Sequence, residues 1–155
     1  MESKEVVIRP AKKEDMTAVA SLIQELADFE KMPQGPKLTV EDLQRDGFTT
    51  APPLFRCAVA DVAGAVAGYA LYFPIYSTWR GASAQLEDLY VTPSVRGRGV
   101  GGRLFDFVAK EASSNGASRL DFHVLDWNPA RKFYEKRGAT DLTEAEHWRY
   151  YRLDF

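Results

Sequence analysis

The sequence predicts an α/β (α+β) protein with a mixed, mostly antiparallel central sheet and helices on both faces of that sheet. Segments of strand and helix periodicity alternate in the order β-α-α-β-β-β-α-β-α-β. Three of the predicted strands follow one another through short connections, which favours antiparallel pairing. A strand–helix–strand unit comes next, and a crossover of this kind joins parallel strands.

The first half of the chain carries one strand and two helices ahead of the central strands. Apolar residues recur at helical spacing after Glu14. Two prolines and a glycine mark a loop at 31–37. Thr39, followed by Asp42, is typical of a helix N-terminus. The expected elements are a strand at 6–9, a helix at 14–29 and a short helix from 39 to about 47.

The second half alternates strands with helices. Phe55, Cys57 and Val59 alternate with small or charged side chains, as is typical of a strand. An Asn-Gly pair at 115–116 and the glycine at 138 mark helix ends. The expected strands are 55–61, 66–76, 83–91, 119–125 and 148–155, and the expected helices are 99–114 and 129–137.

Length and composition fit a single domain over residues 1–155. The chain has 155 residues, of which 45% are hydrophobic and 27% charged, and about 100–200 residues is the usual span of one domain. The net charge of -2 argues against a nucleic-acid partner. One cysteine allows no internal disulfide, and no segment has the apolar character of a signal peptide or a membrane helix. We therefore expect a cytoplasmic protein with no membrane partner.

The stretch VRGRGVGG, residues 95–102, lies between a predicted strand and a predicted helix. Two patterns overlap in it. Gly97, Gly99 and Gly102 spell G-x-G-x-x-G, which is typical of dinucleotide sites. Arg96, Gly99 and Gly101 spell R-x-x-G-x-G. Glycines let backbone N–H groups approach a ligand, and a helix N-terminus beside arginines favours an anion. We expect a phosphate or pyrophosphate site here rather than only a flexible turn.

The order of the elements conflicts with a dinucleotide site. That fingerprint belongs to the tight first turn of a doubly wound parallel sheet. Here three antiparallel strands come first, and too few residues follow Gly102 to complete a parallel sheet. Residues 92–95 also separate the strand from Arg96. The expected acid would be Asp121, which opens its strand, whereas a ribose partner closes one.

Three segments, in this order and spacing, resemble the GNAT superfamily of N-acetyltransferases: IRPA at the end of the first strand, VTPSVRGRGVGGRLF, and NPARKFYEKRGA. The resemblance covers nearly the whole chain, and in this superfamily the R-x-x-G-x-G segment holds the pyrophosphate of coenzyme A. ELADFEK, FPIYSTWRG, LEDLYV, VLDWN and GATDLTEAEHW look like diamine acetyltransferases. DFEK, YSTW and VLDWN look more like the branch that acetylates thialysine.

The resemblance implies a GNAT fold and an acetyl-CoA-dependent N-acetyltransferase without a metal. The substrate would be the primary amine of a small cation: thialysine or a related amino acid, or a polyamine such as spermidine, spermine or putrescine. The acetyl group would move by direct attack in a ternary complex. Diamine acetyltransferases form homodimers, so a dimer is also implied. The alternatives are a protein or peptide lysine acetyltransferase and a non-catalytic acyl-CoA-binding module.

Two side chains are the expected catalytic groups. Glu87 and Asp88 are adjacent acids in a predicted central strand, where a charged residue is rarely buried without a partner. By resemblance, Glu87 deprotonates the amine through water and Tyr134 protonates the departing thiolate, which suits a phenol of pKa about 10. Asp88 is a second candidate for the substrate site. Strand alternation predicts two faces, one with Gln85, Glu87 and Leu89 and the other with Leu86, Asp88 and Tyr90.

The other site residues follow from the resemblance alone. The strand backbone would pair with the pantetheine arm, and the amide of Leu89 would polarise the thioester carbonyl. The expected coenzyme contacts are Leu89, Tyr90, Val91, Arg96, Gly97, Arg98, Gly99, Val100, Gly101, Gly102, Asn128, Ala130, Arg131 and Tyr134. The expected amine contacts are Phe29, Glu30, Glu87 and Glu146, with Trp79 and Trp148 as candidate walls of the amine channel.

The chain departs from the family pattern at two places. WNPARKFY is one residue shorter than in relatives, which affects the contacts of residues 129–131. Phe29 stands where polyamine-specific members have tyrosine. Separately, Cys57, His123 and His147 lack the context of a nucleophilic triad or of a metal site.

Overall fold

The computed structural model describes residues 4–155 as two compact units, one ending at Phe122 and the other spanning His123–Phe155. The strands of the first unit are β1 (Val6–Pro10), β2 (Arg56–Val62), β3 (Ala65–Ser77), β4 (Gly81–Val91) and β5 (Leu120–Phe122). Its helices are α1 (Met16–Phe29), α2 (Val40–Gln44) and α3 (Val100–Ser114). The second unit contains α4 (Ala130–Lys136) and α5 (Leu142–Glu146).

The five strands of the first unit form one sheet in the order β1-β2-β3-β4-β5. The first three pairings are antiparallel, and β4 pairs with β5 in parallel. Residues of α1 and α2 pack on one face of this sheet, and residues of α3 pack on the other. The predicted α/β class with a mixed, mostly antiparallel sheet is therefore confirmed. None of the helices within residues 4–155 is long and apolar enough to cross a membrane.

The two sheet faces bury different side chains. On the α1 face, Met16, Val19 and Leu22 lie one helical turn apart, which directs them to the same side of α1. On the α3 face, Val100, Leu104 and Val108 repeat at four-residue spacing. Each set contacts the sheet, so burying apolar surface fixes both helices against the strands.

Local signals in the sequence formed as predicted at several turns and caps. Ala63 and Gly64 join β2 to β3 with φ values of 54° and 87°, the two positive φ angles that a tight hairpin turn of the I′ type requires. Thr39 and Asp42 form a reciprocal capping box at the start of α2. The helix does not end at 47, because α2 passes at Gln44 into a π-helical turn, Arg45–Thr49.

A bulge interrupts β4 at Glu87. Leu71 of β3 pairs with Asp88, but the next residue, Tyr72, pairs with Leu86. Glu87 is thus the extra residue on β4, and an extra residue reverses which side chains face each side of the sheet. The predicted alternation is wrong on this point: Leu86 packs in the α3-side cluster, whereas Tyr90 packs in the α1-side cluster.

The predictions fail most at the C-terminal end. The predicted strand at 148–155 is wrong, because this segment is irregular and its large apolar side chains are exposed. Strand propensity alone forms no strand where no neighbouring strand satisfies the backbone. The predicted strand at 119–125 is reduced to Leu120–Phe122. The sequence also missed α5, which Asp141 caps by accepting a hydrogen bond from the Glu144 amide at 3.2 Å.

Candidate active site

The glycine loop, residues 96–102, takes a shape that only some of its glycines require. Gly97 and Gly99 have φ values of 76° and 71°, a conformation that side chains with a Cβ rarely adopt. Gly99 is also the N-cap of α3. At Gly101, a Cβ would meet Val91 Cγ2 at an ordinary 3.8 Å. The backbone therefore needs glycine at 97 and 99, whereas glycine at 101 leaves room beside the helix.

The first turn of α3 is suited to an anion. The carbonyl of Gly99 accepts the hydrogen bond of the Arg103 amide at 3.1 Å, so the amides of residues 100–102 precede the regular hydrogen bonds of the helix. Such amides, together with the positive end of the helix dipole, bind phosphate groups. The geometry fits the pyrophosphate cradle that the R-x-x-G-x-G pattern predicts.

Both arginines of the loop are anchored to main-chain oxygens. The Nε–H of Arg96 donates to the Val91 carbonyl at 2.9 Å, and the guanidinium of Arg98 donates to the Lys4 carbonyl. The Arg96 guanidinium carbon also lies 5.4 Å from the ring centre of Tyr90 and 5.9 Å from that of Phe29. Arg96 thus connects the loop to the end of α1. A guanidinium group has five N–H donors, which is more than its hydrogen bond to Val91 uses.

The end of the β4–β5 pairing leaves the second half of β4 for another partner. β5 pairs with Ala84–Leu86 only, so its described pairing stops one residue before the bulge. β4 itself continues to Val91. This is the stretch, 89–91, whose backbone the sequence assigns to the pantetheine arm.

Three acids lie near one another at the bulge and the end of α1, and we call Glu30, Glu87 and Asp88 the acid cluster. Glu87 is exposed on the bulge, and Glu30 follows the last residue of α1. Burial, and then the charges of Asp88 and Glu87, raise the pKa of Glu30. Like charges held this close favour an incoming cation and disfavour a second anion.

Asp88 has a specific neutral partner. The Tyr69 hydroxyl donates to Asp88 Oδ2 at 2.7 Å, and Tyr69 is fully buried. Burial raises the pKa of Asp88, the hydrogen bond from Tyr69 lowers it, and the charge of Glu87 raises it again. Sequence reasoning predicts no role for Tyr69, because a tyrosine in an apolar strand is typical of the core.

Glu25 is a second residue that sequence reasoning missed. Its Oε2 accepts hydrogen bonds from the hydroxyls of Tyr90 and Thr92, both at 3.1 Å. These bonds tie α1 to the end of β4 just before the glycine loop. Its position four residues before Phe29 places both on one face of α1, which is the only signal that the sequence offers.

The second unit holds the remaining predicted residues. Asn128 Oδ1 accepts a hydrogen bond from the Ala130 amide at 2.9 Å and so shapes the start of α4. Arg131 donates to the Asp126 carbonyl at 3.0 Å and forms an ion pair with Asp141 at 3.2 Å. The half-buried Tyr134 lies on α4, with its ring 5.1 Å from that of Phe133 in an edge-to-face contact. Hydrogen bonds among residues 126–131 thus define the conformation of the WNPARKFY segment, which is one residue shorter than in relatives.

The outlying predicted residues are exposed. Glu146 accepts the indole N–H of Trp148 at 2.8 Å. Trp79, at the tip of the β3–β4 hairpin, and Trp148 are 80% and 58% exposed, so neither belongs to the core. Cys57 is buried, and burial, together with the charges of Asp15 and Asp88, raises its pKa to about 12, which keeps the thiol protonated and unsuited to attack.

The residues that the structure describes form no metal centre, and a cleft among them lies apart from the predicted site residues. Within residues 4–155, no group of three or more His, Cys, Asp or Glu side chains could hold a metal ion. A cleft of about 260 Å³ lies between the end of β1, the turn after α2 and the end of α3. Phe48, Phe55, Tyr72 and Phe107 line it, and none of the predicted site residues does.

Comparison with known proteins agrees with the geometry. A model of the acetyltransferase (GNAT) family matches residues 19–139. The chain is 42% identical to thialysine N-epsilon-acetyltransferase of Bos taurus, over 96% of this chain and 92% of that protein. It is 36% identical to spermidine/spermine N(1)-acetyltransferase-like protein 1 of Homo sapiens, over 95% of this chain and 22% of that protein.

A solved structure shares the fold of this chain. An integron cassette protein from the mobile metagenome of V. cholerae superposes with a TM-score of 0.76 at 24% identity, over 97% of this chain and 93% of that one. The family model covers most of the chain, and the similarity to the bovine enzyme extends over nearly its full length. The predicted N-acetyltransferase class is therefore confirmed: the chain belongs to the GNAT family of acetyltransferases.

Proposed function

We propose that the protein transfers the acetyl group of acetyl-CoA to the primary amine of a small cationic substrate: thialysine or a related amino acid, or a polyamine such as spermidine. The observation that carries this proposal is the acid cluster, three carboxyl groups at the β4 bulge and the end of α1 whose charges act on one another. The 42% identity to a thialysine N-epsilon-acetyltransferase supports thialysine as the first substrate to test.

The glycine loop would hold the pyrophosphate of acetyl-CoA through the amides of residues 100–102, and Arg96 and Arg98 would add positive charge. The backbone of Leu89, Tyr90 and Val91 would pair with the pantetheine arm, because β5 leaves that edge of β4 beyond Leu86. Asn128, Ala130, Arg131 and Tyr134 are the proposed contacts from the second unit.

The reaction is a direct displacement in a ternary complex. The exposed Glu87 accepts a proton from the ammonium through water, because an amine must be neutral to attack. The amine nitrogen then forms a bond to the thioester carbon, whose oxygen is polarised by the Leu89 amide. The carbon–sulfur bond breaks, and the Tyr134 hydroxyl donates its proton to the departing sulfur. The nitrogen loses its second proton as the amide forms, and this proton returns through water to the Tyr134 oxygen. Phe29, Glu30 and Glu146 complete the proposed amine site.

We infer a cytoplasmic homodimer in which the two units of the chain form one domain. Five large side chains near the C-terminus, Trp148, Tyr150, Tyr151, Leu153 and Phe155, are between 58% and 116% exposed. Exposure of this many large apolar side chains in one short segment favours cover by a partner. Sedimentation of the wild type and of a chain ending at His147 measures the oligomeric state directly. We expect the full chain to sediment as a dimer.

A competitive rate assay with thialysine, spermidine, putrescine and a lysine peptide tests the substrate class. We expect acetylation of the small amines and slow reaction of the peptide. If only the peptide reacts, the alternative of a protein acetyltransferase is correct and the acid cluster has another role.

Replacement of Tyr134 separates an enzyme from a non-catalytic acyl-CoA-binding module. Tyr134→Phe removes only the hydroxyl, so we expect kcat to fall by about 10²-fold, the lower range for general acid–base groups. Phe133→Leu, at the neighbouring position on α4, is the packing control. An unchanged kcat in the Tyr134→Phe enzyme would assign the acid role elsewhere.

A further inference from the structure

We propose that Tyr69 is a positioning residue for the acid cluster: its buried hydroxyl fixes the Asp88 side chain and stabilises the ionised form of that carboxyl group. The inference rests on the proposed function, since it concerns the same amine site. It gives Tyr69 a part in amine binding, through the Asp88 carboxylate.

The geometry directs the Tyr69 hydroxyl at one atom. Tyr69 pairs with Tyr90, and Leu71 pairs with Asp88, so Tyr69 reaches Asp88 along the diagonal between β3 and β4. Aromatic side chains span this diagonal. The resulting O–H···O distance of 2.7 Å is that of a well-formed hydrogen bond. The fully buried ring leaves the hydroxyl little freedom to turn away.

The hydrogen bond from Tyr69 opposes the effect of the surroundings on the ionisation of Asp88. Glu30 faces it from α1, Glu87 precedes it on β4, and the protonated Cys57 thiol lies toward it on β2. Burial and Glu87 both raise the pKa of Asp88, and the Tyr69 bond is the contact that lowers it. Burial, Asp88 and Glu87 raise the pKa of Glu30, which gains no opposing bond from the described residues.

A cationic substrate would meet an Asp88 carboxylate that the Tyr69 hydroxyl holds in place. Asp88 offers its second carboxylate oxygen, since Tyr69 occupies Oδ2. Glu30 releases its proton as the pH rises or as a cation arrives, because a positive charge favours the ionised form. Without the Tyr69 hydroxyl, the pKa of Asp88 would rise further, and the site would lose this anion at a higher pH than in the wild type.

Tyr69→Phe removes the hydroxyl and keeps the ring. We expect the acidic limb of kcat/KM for the amine to move to higher pH by about one unit, as loss of one hydrogen bond to a charged group implies. The KM for acetyl-CoA should stay unchanged. Tyr72→Phe is the matched control, because Tyr72 lies on the same strand but packs in the α3-side cluster. It should move neither quantity.

The double variant Tyr69→Phe/Asp88→Asn tests whether the effect runs through Asp88. Its acidic limb should coincide with that of Asp88→Asn alone. A further shift in the double variant would overturn the proposal, since Tyr69 would then act on another group. A loss of thermal stability in Tyr69→Phe with an unchanged pH profile would also overturn it, because Tyr69 would then only fill the core.

A carboxyl-carbon NMR titration gives a readout that does not need activity. The Asp88 signal, assigned by its loss in Asp88→Asn, should titrate at higher pH in Tyr69→Phe than in the wild type. Equal midpoints would reject the role of Tyr69. If the wild type acetylates no small amine, the proposed function fails while this titration still decides the pairing of Tyr69 with Asp88.

Discussion

The glycine loop takes its shape from consecutive residues, whereas the acid cluster joins the end of α1 to a bulge in β4. In the loop, Gly97 and Gly99 set the backbone, and α3 begins directly after them. In the cluster, Glu30 meets Glu87 and Asp88 only because α1 packs on the sheet and β4 carries an extra residue. A sequence motif can therefore specify the first site, while packing must assemble the second.

The two regions also differ in how their charges are balanced. Arg96 and Arg98 each donate to a backbone carbonyl, and Arg96 contacts two aromatic rings. The acid cluster concentrates like charges, with one neutral hydroxyl as the partner of Asp88. The glycine loop thus has its arginines anchored without a ligand. The acid cluster carries negative charge that a cation would neutralise.

The largest expected effect separates catalysis from cofactor binding. Glu87→Gln keeps the size of the side chain and removes the proposed base, so kcat/KM for the amine should fall by about 10²-fold. The affinity for acetyl-CoA, measured by calorimetry, should be unchanged because Glu87 lies outside the glycine loop. An equal loss of acetyl-CoA affinity would mean that the bulge supports both sites.

A smaller effect tests which glycines shape the loop. Gly99→Ala and Gly97→Ala place a Cβ at positive φ, so each should lower the free energy of unfolding by about 1–3 kcal/mol. Gly101→Ala is the control for stability, because its Cβ would make only an ordinary contact. Urea denaturation measures the difference. A loss at 101 equal to that at 99 would show that packing, not φ, sets the requirement.

The smallest effect tests the strain within the acid cluster. Because the pKa of Glu30 is raised in the folded protein, its contribution to stability is lost as pH rises from the ordinary value of 4.5 through the folded value. At pH 7 the free energy of unfolding of Glu30→Gln should therefore be higher than that of the wild type by about a few tenths of a kcal/mol after solvent screening. The variant should accordingly unfold at a slightly higher temperature. The gain should vanish below pH about 4, where both states are protonated.

Exposed Glu135 on α4 provides the control for that change. Glu135→Gln removes the same charge without a crowded neighbour, so it should not reproduce the pH-dependent gain. Thermal unfolding at several pH values compares the two variants. At the same time Glu30→Gln should raise the amine KM, since the site loses one of its anions.

Much of the first unit could be predicted because its signals are local. Helical spacing located α1 and α3, the capping box at Thr39 located α2, and turn residues located the β2–β3 hairpin. The C-terminal strand could not be predicted, because its aromatic residues have strand propensity but no strand pairs with them in the chain described. The partnership of Tyr69 with Asp88 was equally hidden, since a tyrosine in an apolar strand reads as core.

The sequence by itself determined the family, the glycine loop and the set of acidic residues from which an amine site can be made. These depend on residue type and short spacing, which the chain carries in its own order. Tertiary structure decided that Leu86 and Tyr90 face opposite sides of the sheet, that Glu87 is exposed, and that Tyr69 and Glu25 hold the strand beside it. The physical reason is the bulge at Glu87: one unpaired residue reverses the alternation of β4, and only the pairing of β4 with β3 reveals it.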